Sequence, residues 1–165
     1  MQKLTITISK GNVIKLYNLL TEAKGSFNKN YLEFIIRNKK ILESEKEVFD
    51  EMFKETPEQE EYIKEEYMLM DKYAIKNNNG QIKFPVIIKK EFVDDFNKGI
   101  ETLKETKKEV FDSIIKKENE KGIALSEEVQ LEIYQIPFEK LPDTISTDLY
   151  EMLRNNNFVE LSDFE

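Results

Sequence analysis

Glycine and proline punctuate this chain too rarely for a fold built of many short strands, since 165 residues carry five glycines and four prolines. Tight turns rely on those residues for a positive or a preset φ, so a sandwich or barrel would lack its corners. Long helices are the architecture that remains. Charged residues make up 35% of the chain and hydrophobic residues 39%, which suits helices with one apolar stripe and a wide solvated face. The length is that of one domain, and a single domain over residues 1–165 is expected, either one body or a body with a projecting hairpin.

Two segments alternate with the two-residue period of a half-buried strand. Leu4, Ile6 and Ile8 alternate with Thr5 and Thr7, and Val129, Leu131 and Ile133 alternate with Gln130, Glu132 and Tyr134. Neither buries its apolar face alone, so the two are expected to share a sheet and bring the chain ends together. Ser9 can cap a helix in which Val13, Leu16, Leu20, Phe27, Tyr31, Phe34, Leu42 and Phe49 recur at helical spacing. This pattern predicts one long helix over residues 12–54, bent or broken near Gly25-Ser26. Thr56-Pro57-Glu58 reads as a restart, with Thr56 as cap and Pro57 in the first turn, and the second helix is expected to reach Lys76.

Asn77-Asn78-Asn79-Gly80 signals a turn, and Gln81 to Ile88 reads as a loop or edge strand because Pro85 cannot donate to a ladder. Phe92, Phe96, Ile100, Leu103, Val110, Phe111 and Ile114 restore helical spacing from Lys90 to about Glu118, interrupted at Thr106-Lys107. This stretch is the expected partner of the first helix, and Gly122 its expected end. A short last helix over about 147–154 follows, capped by Ser146 or Thr147, with a frayed tail from Asn155 to Glu165. The expected fold is mainly α with a small β element. It is a long antiparallel helical hairpin over about 12–118 turning near 77–88, on a β base from 3–8 and 128–136.

The chain contains no cysteine and no histidine, so thiolate nucleophiles, disulfides and imidazole bases are absent from its chemistry. A serine or threonine nucleophile would have to rely on Lys, Asp or Glu, and no glycine-flanked nucleophile elbow surrounds any serine. Adjacent carboxylates such as Asp94-Asp95 and Glu65-Glu66 are uninformative in so acidic a chain. The Asn77–Gly80 turn fails as a calcium loop, because the register that puts Gly80 at position six puts Ile75 first and Val86 last. No phosphate-cradling glycine loop is present. We therefore expect no catalytic residues, no cofactor and no metal ligands, and a protein that is not an enzyme.

A formal charge of −8 opposes binding to nucleic acid or to an anionic membrane. The beginning of the chain is too short and too alternating for a signal peptide, and no apolar run reaches the roughly 20 residues of a membrane span. A cytoplasmic protein without a membrane partner is expected. Lys10 to Lys40 is locally basic and interleaves Tyr17, Phe27, Tyr31 and Phe34, but those aromatics keep core spacing, which disfavours direct nucleic-acid binding. Glu43 to Glu66 is strongly acidic. Its Glu51, Glu55, Glu58, Glu61 and Glu65 are the candidate partner-binding face, able to imitate a nucleic-acid backbone toward a basic protein groove.

The order of features resembles a group of uncharacterised bacteriophage and prophage proteins. The shared elements are a short strand, a helix with the Phe27 to Tyr31 step, an acidic helix, and Tyr73-Ala74 before the Asn77–Gly80 turn. Glu91-Phe92 at a helix start and a closing Leu141-Pro142 segment with a short helix to Leu153 complete the likeness. The resemblance implies a phage setting, hence a bacterial host cytoplasm, and transfers no activity. The expected function is that of a non-catalytic phage or prophage accessory protein that binds another protein, in its sharper form by inhibiting a host defence or nucleic-acid enzyme through the acidic face. The competing expectation is a virion-assembly or chaperone-like coiled-coil protein, forming a homo-oligomer, in an arrangement similar to prefoldin's hairpin arms on a β base.

Overall fold

The computed structural model describes residues 1–25 and 27–160. In chain order the elements are β1 (Lys3–Ser9), α1 (Lys10–Glu22), α2 (Lys29–Met52), α3 (Pro57–Tyr73), α4 (Val93–Thr106), α5 (Lys108–Ser126), β2 (Glu128–Tyr134), β3 (Ile136–Pro137), α6 (Thr147–Asn155) and β4 (Val159–Glu160). Single turns of 3₁₀ helix occur at Lys90–Phe92 and Phe138–Lys140. Helix accounts for 64% of the described residues and the main sheet has two strands, so the fold is mainly α with a small β element. The chain forms two compact units, Met1–Phe53 together with the chain from Lys121 onward, and Lys54–Glu120.

In the first unit β1 and β2 pair antiparallel, with Leu4, Ile6 and Ile8 opposite Ile133, Leu131 and Val129. The two alternating segments of the sequence thus bury one shared face. Ser9 ends β1 in an extended conformation, and its hydroxyl accepts the backbone N–H of Asn12 to start α1. The predicted long helix is in fact two. Gly25, at φ 146°, takes a backbone conformation that side chains resist, and Asn28 caps α2 by accepting from the N–H of Tyr31. Ser26, the other half of the anticipated break, lies outside the described residues.

That break corrects the expected pairing of helices. α1 packs on α2 and α6, α2 packs on β2, and it is α3 that packs on α4. The gain is burial: Leu16, Tyr31, Phe34, Leu42, Ile133 and Phe158 are all essentially removed from water in one core. The tail also differs from expectation. Ser146 caps α6, Asn157 turns the chain at φ 60°, and the N–H of Phe158 bonds back to the Leu153 carbonyl at 2.8 Å. This delivers Val159 and Glu160 into a parallel pairing with Ile136 and Pro137, so residues 155–160 are not frayed. Residues 161–165 of the predicted tail lie outside the described residues.

The second unit is an antiparallel helical hairpin. Gln59 meets Ser113, Tyr62 meets Phe111, Glu65 meets Lys107, and Tyr73 meets Phe92 and Phe96. A Cβ on Gly99 would stand 3.1 Å from a methyl of Leu69, so glycine there lets the two arms approach. Thr56 and Gln59 form a reciprocal capping box at the start of α3. Gln59 is buried and also donates to the Ser113 hydroxyl at 3.0 Å while accepting from the Lys117 ammonium, which ties α3 to α5.

Two predicted boundaries move. α3 ends at Tyr73 instead of Lys76, because Ala74 and Lys76 form antiparallel bridges with Ile88 and Ile82. The interruption expected at Thr106-Lys107 divides the helical stretch into α4 and α5, and there the Thr106 hydroxyl bonds back to the Thr102 carbonyl. Gly122 does not end α5, which runs on to Ser126 and buries Ala124 with Phe49 and Phe53. Packing there outweighs the roughly 1 kcal/mol penalty of a helical glycine.

Candidate protein-binding surface

The five acidic residues singled out from the sequence are divided between the two units. Glu51 is an exposed residue of α2 in the first unit, whereas Glu55 precedes α3 and Glu58, Glu61 and Glu65 lie on α3 in the second. Spacings of three and four residues put the last three on one side of that helix. The antiparallel arm adds Glu105 and Glu109, which line with Glu58 and Glu61 an open groove of about 400 Å³. Sequence reasoning missed this pair. The signal for it is the hairpin register, which sets the Thr106-Lys107 interruption opposite Glu61 and Glu65.

The groove is not uniformly negative. Lys107 places its ammonium 2.9 Å from a Glu65 oxygen and 3.5 Å from a Glu61 oxygen. The hydrogen bond from Lys107 to Glu65 and the charges of both carboxylates raise the ammonium's pKa, against a smaller opposing effect of burial. Glu58 is held below the usual carboxylate range by its own backbone N–H and by the Thr56 hydroxyl. It sits in the first turn of α3, where a negative charge is favoured by the helix dipole. These contacts are solvent-exposed and contribute little to stability. Their consequence is that the carboxylates are held in place.

Apolar side chains accompany the acidic ones. Ile63, Tyr67 and Met68 of α3 are 44%, 54% and 61% exposed, an unusual display for large hydrophobic groups on adjacent turns. At the far end of the hairpin, Asn77 accepts the N–H groups of Asn79 and Gln81, closing the predicted turn. Ile82 is buried beneath it, while Phe84 is 77% exposed and Val86 and Ile87 face solvent as well.

In the first unit, Lys3, Arg37, Lys40, Ile41, Glu132 and Tyr134 line an open groove of about 520 Å³. Arg37 lies over the Tyr134 ring at 4.8 Å and pairs with Glu33, and Lys3 pairs with Glu132. Those cations are engaged by their own neighbours. Of the aromatics within the basic stretch, Tyr31 and Phe34 are buried in the core and offer no stacking platform. Among the described residues no three carboxylates gather in a way that could hold a metal ion, and no helix is long and apolar enough to cross a membrane.

Fold and surface together define a class: a mainly helical protein with a two-stranded β element and a helical hairpin whose outer faces combine carboxylates with exposed apolar side chains. No family model matches the chain, and no curated protein or solved structure does either.

Proposed function

We propose that this is a non-catalytic bacteriophage or prophage accessory protein, working in the bacterial host cytoplasm, that binds another protein through the acidic groove of its hairpin. The observation that carries this reading is the convergence of Glu58, Glu61, Glu105 and Glu109 from opposite arms on one open groove, with Ile63, Tyr67 and Met68 exposed on α3. Carboxylates give such a surface orientation and rate of encounter, and the apolar groups give it affinity. The partner that fits is a protein with a basic groove, such as a nucleic-acid or defence enzyme of the host, which the carboxylates would occupy as a phosphate backbone does.

The test is capture of host proteins by the tagged full chain, compared with the triple variant E58K/E105K/E109K. This variant spares the Lys107 ion pairs to Glu61 and Glu65, and circular dichroism checks that it keeps the helix content of the parent. Retention of a nucleic-acid or defence enzyme by the parent, its loss with the variant, and weakening by added salt support the reading. Equal retention by parent and variant overturns it.

A further inference from the structure

Beyond the acidic groove, the hairpin tip has the opposite chemistry. Between Ile75 and Lys90 the chain carries four lysines and no carboxylate, within a protein of net charge −8. Lys76 pairs with Asp71 at 2.9 Å, whereas Lys83, Lys89 and Lys90 are exposed and, among the described residues, meet no carboxylate. Between them stand Phe84 at 77% exposure, Val86 at 37% and Ile87 at 46%. A phenylalanine exposed to this degree leaves apolar surface in water that a docked surface would cover.

The complementary surface is in the same sequence, on α2. Val48 and Met52, each 60% exposed, lie one turn apart, and exposed Glu47 and Glu51 form the adjacent row, also one turn apart. From Glu43 to Glu55 the chain carries six carboxylates and two lysines. Apolar groups flanked by cations at the tip thus match, in both respects, apolar groups flanked by carboxylates on α2. We infer that the tip of one copy, through Lys83, Phe84, Ile87, Lys89 and Lys90, docks on the Glu47-Val48-Glu51-Met52 face of α2 in a second copy.

Net charge does not forbid this contact. At an ionic strength of about 0.15 M, charges are screened beyond about 8 Å, so the local pairing outweighs the repulsion between distant parts of two acidic molecules. The patch is small beside the ~800 Å² per partner of a stable complex, so the association is weak and concentration-dependent.

Sedimentation velocity of the full chain across a concentration series, at about 0.15 M and about 1 M sodium chloride, tests the inference. Reversible self-association is expected, weaker at the higher salt. The variant K83E/K89E/K90E should weaken it by about tenfold or more, and E47K/E51K should do the same. Mixing the two variants should restore association, because the reversed tip then meets a reversed face. F84S should weaken association with little change in its salt dependence. All substituted residues are exposed, and circular dichroism checks that each variant keeps the helix content of the parent. A monomer at every concentration, or oligomers indifferent to both reversals, overturns the inference. So does a monomer that floats with anionic phospholipid vesicles in a tip-dependent way, which would assign the tip to a lipid surface.

Discussion

Asn38 and Tyr62 show how differently two buried polar groups can be treated by one fold. Asn38 is fully buried on α2, and its amide both donates to the Tyr134 carbonyl and accepts the Tyr134 N–H, each at 2.9 Å. It completes the edge of β2 as another strand would. Asn38→Ala would leave both backbone groups without partners, and a loss of about 2–4 kcal/mol in urea unfolding is expected. The hydroxyl of Tyr62 is buried with no hydrogen-bond partner among the described residues, so Tyr62→Phe should be neutral or raise the melting temperature. A cost above about 1 kcal/mol would mean that the hydroxyl is hydrogen-bonded in solution. Burial also pushes the Tyr31 phenol up to about 12 and raises that of Tyr62. The folded protein then keeps protons that the unfolded chain releases near pH 10, the ordinary tyrosine value. Stability is fully present below that pH and falls as pH rises toward about 12. Tyr31→Phe should make the alkaline decline of the urea midpoint shallower.

The elements record where local signals and packing agreed and where they competed. Strand alternation and all four side-chain caps at Ser9, Asn28, Thr56 and Ser146 operate over a few residues. Three of those caps were legible in the sequence, with Ser146 one of two candidates, whereas Asn28, just after the expected break at Gly25-Ser26, was not singled out as a cap. Gly122 carries the reverse lesson. A glycine after a charged helix looks like its end, yet Ala124 two residues later packs on Phe49 and Phe53 from a distant part of the chain. A Cβ at Gly122 would meet nothing within 4 Å. Gly122→Ala should therefore stabilise the protein by about 0.5–1 kcal/mol, seen as a rise in melting temperature. Unchanged or lowered stability would show that this part of α5 is not helical in solution.

At the scale of the molecule, the two units differ in how much apolar surface they remove from water. The first has a continuous core that includes Leu16, Phe34, Ile133 and Phe158, while in the second the buried hydrophobic residues among those described are Tyr62, Ala74, Ile82 and Leu103. Opening free energy follows buried contact, so native-state hydrogen exchange should show lower protection in α3 and α4 than in β1, β2 and α2. Equal protection in both units would contradict this. The carboxylates of the hairpin's groove arrive from two arms. That is why only part of the candidate site was legible beforehand: Glu58, Glu61 and Glu65 are neighbours by helical spacing, but Glu105 and Glu109 join them only through the register of the hairpin.

The sequence by itself determined the helical majority, the two strands and their pairing, the first turns of most helices and the surplus of carboxylates. Each depends on periodicity, capping or composition, which act over short spans. Tertiary structure alone decided that α1 turns back on α2, that the end of the chain supplies a parallel strand, that Asn38 closes a sheet edge, and that Lys107 lies between Glu61 and Glu65. Those outcomes depend on which apolar faces bury one another most completely, a competition among residues far apart in the chain that no local pattern encodes.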